Sequence, residues 1–218
     1  MAQNAISLLR SDHGNVEDLF RQFESAAPDA YQEKRRITDH VIVQLSRHAA
    51  IEEQVFYPAL RGFPDLHDKV LESLEEHHAT KLALSELEKL PANAERFDAK
   101  VKVMVENVRH HVREEEETIF PLVEQHVPFA ELETMAAAME EVRGRAPTRP
   151  HPFAPDQPPL NVLVGVPMAV LDAGIRVGLG AARMTGAALL QLTGLDRAHR
   201  QEAELQVRRR LEDERKSA

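Results

Sequence analysis

Two stretches of the chain repeat one chemical pattern. His48-Ala-Ala-Ile-Glu52-Glu53 runs on to Tyr57-Pro58, and His111-Val-Arg-Glu-Glu115-Glu116 runs on to Phe120-Pro121. Both read H-x-x-x-E-E-x-x-x-(Tyr/Phe)-P. A lone histidine precedes each copy, His13 by 35 residues and His77 by 34. On a helix the i, i+4 relation puts imidazole and carboxylate on one face. Imidazole suits iron and zinc, while carboxylate accepts harder cations, so this donor set fits first-row ions such as iron or manganese. The chain has 11 histidines and no cysteine, which excludes disulfides, iron–sulfur clusters and thiolate zinc sites.

The elements that must carry these residues are helical. Apolar positions recur at three-four spacing from Ile6 through Leu9, Val16, Phe20 and Phe23, and that pattern stops at Pro28. A second run, with Val41, Leu45 and Val55, closes at Gly62-Phe63-Pro64. A third spans about 66–90 with Val70, Leu74 and Leu84, and a fourth spans about 94–126 with Val101, Met104, Val108 and Leu122. Extending each stripe in steps of three and four places His13, His48/Glu52, His77 and His111/Glu115 on the four core faces. Short connections favour antiparallel neighbours, so the expected class is all-α, an up-down-up-down four-helix bundle. Six donors then converge in its interior. Two glutamates buried among leucines would each cost several kcal/mol, on the order of a lone buried charge, unless cations compensate them.

Other readings compete. Interior histidines can be satisfied core residues, with the glutamates paired to Lys81 or Arg113, but six aligned donors favour metal. Ferritin-like di-iron proteins need two Glu-x-x-His motifs on separate helices, and the one match here, Glu75-Glu-His-His78, lies partly off the stripe. Zinc-protease, phosphate-loop and nucleophile-elbow motifs are missing.

With a lone histidine in helices one and three and H-x-x-x-E in helices two and four, the first 126 residues resemble the hemerythrin-like family, the HHE cation-binding domain. The resemblance implies two non-haem irons, oxo- or hydroxo-bridged. Glu52 and Glu115 would bridge them, and His13, His48, His77 and His111 would be terminal ligands. It also implies a small ligand: dioxygen, hydrogen peroxide or nitric oxide. The expected role is sensing, detoxification or iron handling, with peroxide-consuming, catalase-like turnover left open and no catalytic residue assigned. One departure argues against a simple oxygen carrier: the fifth histidine of those proteins falls at Lys81 here. Lys81 reads either as a solvated residue whose stem covers the bundle or as a donor to a metal-bound oxygen. Glu53 and Glu116 adjoin the bridging pair and are candidate supporting residues or extra ligands. Tyr57 reads as helix-end packing, with a redox role as the alternative.

The rest of the chain divides by composition. A short accessory helix is expected over 127–144, a proline-rich linker over 145–159 and a helical C-terminal extension over 160–218. Within 160–195 the only charged residues are Asp172, Arg176 and Arg183, which share one narrow stripe, while Gly174, Gly178, Ala182 and Gly186 stud an apolar face. That face calls for a homo-oligomer or protein partner, with peripheral membrane contact open. A second function therefore stands beside the first: an adaptor whose metal bundle is structural or sensory. The net charge of −9, and of −11 over the first 159 residues, argues against nucleic acid. The N-terminus lacks a basic region ahead of an apolar core, so a cytoplasmic location is expected.

Overall fold

A computed structural model describes residues 3–154; the expected extension over 160–218, with the partner surface read on 160–195, lies outside them. Five helices, and no strand among the described residues, build the bundle. Helix α1 spans Ala5–Ser25, where Asn4 and Ser7 form a reciprocal capping box, each accepting from the other's backbone N–H at 2.8 and 2.9 Å. Helix α2 begins as Tyr31–Ile51, widens to π-helical over Glu52–Phe56 and ends as Tyr57–Leu60. Helix α3, Pro64–Lys89, starts on a proline whose missing N–H costs nothing in a first turn. Helix α4 repeats the form of α2: Phe97–Glu114, π-helical Glu115–Ile119, then Phe120–His126. Helix α5 spans Phe129–Arg145.

Connections of a few residues force α1 against α2 and α3 against α4, giving the up-down-up-down bundle expected from the stripes. Helix α5 buries Leu132, Ala136, Met139 and Val142, one face at helical spacing, against α1 and α2. The following residues have no regular structure as far as 154, yet Pro150 and Pro152 are buried and Arg149 Nε reaches Glu88 Oε1 at 2.5 Å.

The three-four walk stops matching the core just past each glutamate. It aims Val55 inward in α2 and Thr118 and Leu122 in α4, but these are only partly buried. The core positions are Phe56, Tyr57 and Leu60, and Ile119, Phe120 and Val123. The physical reason is the π-helical turn, which inserts one residue into the ladder and rotates everything after it. Pro58 and Pro121 require such an adjustment, since neither can donate to the i−4 carbonyl and each ring would clash with it in an unbroken α-helix. The duplicated motif therefore encodes a duplicated π-turn that begins on the glutamate itself.

Two separate apolar clusters fill the bundle. One joins Leu8, Leu9, Ile51, Phe56 and Phe120 to the buried face of α5. The other joins Phe20, Val41, Leu84, Phe97 and Met104. The histidines and glutamates belong to neither.

Candidate metal centre

All six donors picked from the stripes are buried: His13, His48, His77 and His111 at 5–6% exposure, Glu52 and Glu115 at 0%. Their donor atoms fall into two overlapping sets, each within 4.8 Å: His13, His48, Glu52 and Glu115 in one, Glu52, His77 and His111 in the other. Glu52 belongs to both, its Oε2 lying 3.1 Å from His48 Nε2 and 3.2 Å from His77 Nε2. Glu115 also spans the centre, with Oε2 at 3.3 Å from His13 Nε2 and 3.7 Å from His111 Nε2.

Whether these residues fit a metal is tested by what they lack. His13 Nε2, His48 Nε2, both oxygens of Glu52 and Glu115 Oε2 are buried and have no hydrogen-bond partner. A buried polar atom left unpaired costs about 1–3 kcal/mol, more when charged. Five such atoms facing one another are a donor set awaiting cations. Without a cation the glutamates burden each other: burial, and then the Glu115 charge, push the Glu52 carboxyl well above the ordinary range. Burial also pushes Glu115 up, but His111 and His13 outweigh it and leave that carboxyl low. Burial drives His48 down to about 4, so its imidazole is neutral and its nitrogen lone pair is available.

A ring of carboxylates, two of which sequence reasoning missed, sets the orientation of the imidazoles. His77 Nδ1 lies 3.0 Å from Glu53 Oε1 and His13 Nδ1 lies 2.8 Å from Glu116 Oε1. His111 Nδ1 lies 2.7 Å from Glu76 Oε2, and His48 Nδ1 faces Asp12 Oδ2 at 3.5 Å. A carboxylate can only accept, so an Nδ1 that donates to one leaves a neutral imidazole its Nε2 lone pair to offer a cation at the centre. Asp12 immediately precedes His13 and Glu76 immediately precedes His77. An acid before each lone histidine and an acid after each buried glutamate was thus the available signal. The helix supplying a lone histidine also supplies the acid that holds its neighbour's histidine.

Glu53 and Glu116, considered above as extra ligands, occupy these supporting places. Lys81 is largely buried: its side chain is 11% exposed, it borders the same small cavity as the four histidines, and its Nζ lies 2.8 and 3.0 Å from the two Glu53 oxygens. Burial raises the Glu53 carboxyl, yet His77 and Lys81 outweigh it and hold it below the usual range. Asp12 receives a two-pronged guanidinium contact from Arg143 of α5, both bonds 2.7 Å, and Arg10 reaches Glu116 at 2.9 Å. His78 and His110 are exposed.

The two halves differ at the aromatic of the motif. Tyr57 is buried and its hydroxyl donates to Glu115 Oε1 at 2.9 Å, with His77 Nε2 at 3.5 Å. Phe120, in the equivalent place, lies nearly parallel to the His13 ring, with ring centres 5.9 Å apart. Tyr57 therefore hydrogen-bonds to one of the six donor residues as well as packing beside them.

No helix among the described residues is long and apolar enough to cross a membrane.

Comparison with known proteins agrees with this geometry. The chain is 28% identical to an uncharacterized hemerythrin-like protein of Schizosaccharomyces pombe, over 74% of this chain and 79% of that protein. It is 27% identical to a DNA nickase of a Nostoc species, but the match spans only 41% of the nickase. A crystal structure of a hemerythrin HHE cation-binding domain-containing protein from Mycobacterium kansasii superposes with a TM-score of 0.56 at 27% identity, covering 65% of this chain and 88% of that one. The model of the hemerythrin HHE cation-binding domain matches residues 4–123, which hold every donor described above, and the chain belongs to that family.

Proposed function

We propose that the bundle is a non-haem di-iron centre that binds or reacts with a small oxidant: dioxygen, hydrogen peroxide or nitric oxide. The observation that carries this reading is the pair of overlapping donor sets sharing Glu52, with five of their buried atoms otherwise without partners. Each iron would take two imidazoles, from His13 and His48 or from His77 and His111, with Glu52 and Glu115 held between them. Iron so bound would supply redox chemistry and affinity for a small molecule.

The chain's own residues supply the rest. The four carboxylates beyond the imidazoles fix the ring tautomers and raise the basicity of the ligands. Lys81, Arg10 and Arg143 pair with three of those carboxylates and hold them beside the imidazoles. The apolar clusters on both sides keep bulk water from the donors. The Tyr57 hydroxyl holds Glu115 from one side and leaves its other oxygen toward the centre. Such a centre serves sensing, detoxification or iron handling.

The test is metal analysis of protein purified from iron-replete cells, together with its near-ultraviolet spectrum and a titration with peroxide. About two irons per chain with a charge-transfer band, both lost in His111→Ala, is the expected outcome. Metal-free protein, with stability unchanged in His48→Ala, would refute it.

A further inference from the structure

Two spaces meet at one wall of the bundle. Inside, a cavity of about 30 Å³ touches all four histidines. Outside, an open groove of about 560 Å³ runs along the seam between α1 and α4. His13, Val16, Val108 and Val112 line both. The partition between solvent and the imidazoles is therefore one layer of side chains, chiefly valines.

This seam is built unlike the others. Close backbone approach joins α1 to α2 and α3 to α4, but not α1 to α4. Long ion pairs span the gap instead: Arg109 to Glu17 at 2.9 Å and to Glu24 at 2.7 Å, and Arg10 to Glu116 at 2.9 Å. Partly exposed pairs of this kind contribute little and open readily. Gly14 faces the same groove, and a Cβ there would meet nothing within 4 Å. Valine on a helix is confined largely to one rotamer, so widening this wall requires the helices to part, and weak, partly exposed arginine pairs allow that.

We propose that small neutral molecules reach the centre from the α1–α4 groove, passing Val16 and Val112 between the Arg10–Glu116 and Arg109–Glu17 pairs, and lodge in the histidine-lined cavity. The proposal rests on the reading of a centre that binds a small molecule. A space of about 30 Å³ has room for a molecule of two or three atoms. Beside the histidines, Thr80 and Lys81 its walls are aliphatic, with Val16, Leu45, Leu84 and Val108 offering no hydrogen bonds, so a small neutral molecule fits it best.

The experiment is stopped-flow association of nitric oxide with the reduced, metal-loaded protein. Val112 is half-buried and Val112→Trp fills the wall; association is expected to slow by about tenfold or more, with metal content and resting spectrum unchanged. Val112→Ala and Val16→Ala, which thin the wall, speed it. Val103→Trp, on the same helix but 57% exposed, leaves it unchanged. Xenon under pressure gives a second readout that needs no metal reaction: it shifts the methyl resonances of Val16, Val108 and Val112, and Val112→Trp slows that exchange. Wild-type rates in folded, fully metallated Val112→Trp, together with unaltered rates in both alanine variants, would overturn the route, as would equal slowing by Val103→Trp. Wild-type protein that holds no metal would instead refute the reading of the centre, and the xenon shifts would then decide the route alone.

Discussion

Glu52→Gln should make the metal-free protein more stable and the metal-loaded protein less so. In the bundle Glu52 is 0% exposed, neither of its oxygens has a hydrogen-bond partner, and among charges Glu115 opposes its ionisation most. Without cations, folding carries the cost of that carboxyl: about 1–3 kcal/mol for an unpaired buried polar group, and more for a charged one. Glutamine keeps the shape, removes the charge and gives Glu115 an amide donor beside it. A gain of about 1–3 kcal/mol raises the melting temperature of a domain this size by roughly 3–10 °C. With metal the sign reverses. A ligand at 100 times its dissociation constant adds about 2.7 kcal/mol to stability, and a variant without the shared carboxylate forgoes it. The assay is thermal unfolding by circular dichroism, of chelated and of iron-reconstituted protein, with metal content measured on the same samples. A chelated Glu52→Gln protein no more stable than chelated wild type would refute the reasoning, because the glutamate would then not be held at a cost that a cation relieves.

Asp12→Asn and Glu76→Gln each replace the charged carboxylate facing a histidine Nδ1 with a neutral amide, and each should weaken metal binding about 10–100-fold in chelator competition while helix content stays the same. Tyr57→Phe copies the Phe120 half of the site; it should retain metal, alter the visible spectrum and change stability by about 1 kcal/mol, as measured by denaturant unfolding. The Arg109 hydrogen bonds hold the Glu17 and Glu24 carboxyls below their ordinary range. Their folded values are depressed, so the stability they contribute is present above the unfolded carboxylate range and is lost as pH falls through the folded values. Arg109→Met should therefore flatten the acid limb of a stability–pH curve below about pH 4.5, by less than about 1 kcal/mol because both carboxylates are partly exposed. Met139→Ala should open a cavity where α5 meets the bundle and cost about 2–5 kcal/mol in thermal unfolding, leaving the donors in place.

Much of this molecule is written in periodicities. A three-four stripe of leucines and valines specifies a helix with one buried face, and any residue on that stripe must be buried with it, so His13, His48, Glu52, His77, His111 and Glu115 could be placed inside from spacing alone. Helix ends were equally local, since Pro28, Gly62-Phe63-Pro64 and Pro91 stop helices by backbone chemistry that needs no partner. The walk failed just beyond Glu52 and Glu115, where Pro58 and Pro121 force a π-turn and rotate the core from Val55 to Phe56 and from Thr118 to Ile119. Which acid faces which imidazole is a different kind of question. Asp12 meets His48 and Arg143, Glu76 meets His111, and Lys81 meets Glu53 instead of the donors, across separations of 28 to 131 residues. Those pairings depend on the distance between helix axes and on the rotation of each helix about its own axis, quantities set by packing of the whole bundle and carried by no single segment. The same holds for the seam between α1 and α4: the residues on each side follow from local pattern, while the gap between them exists only once four helices and α5 have taken their places.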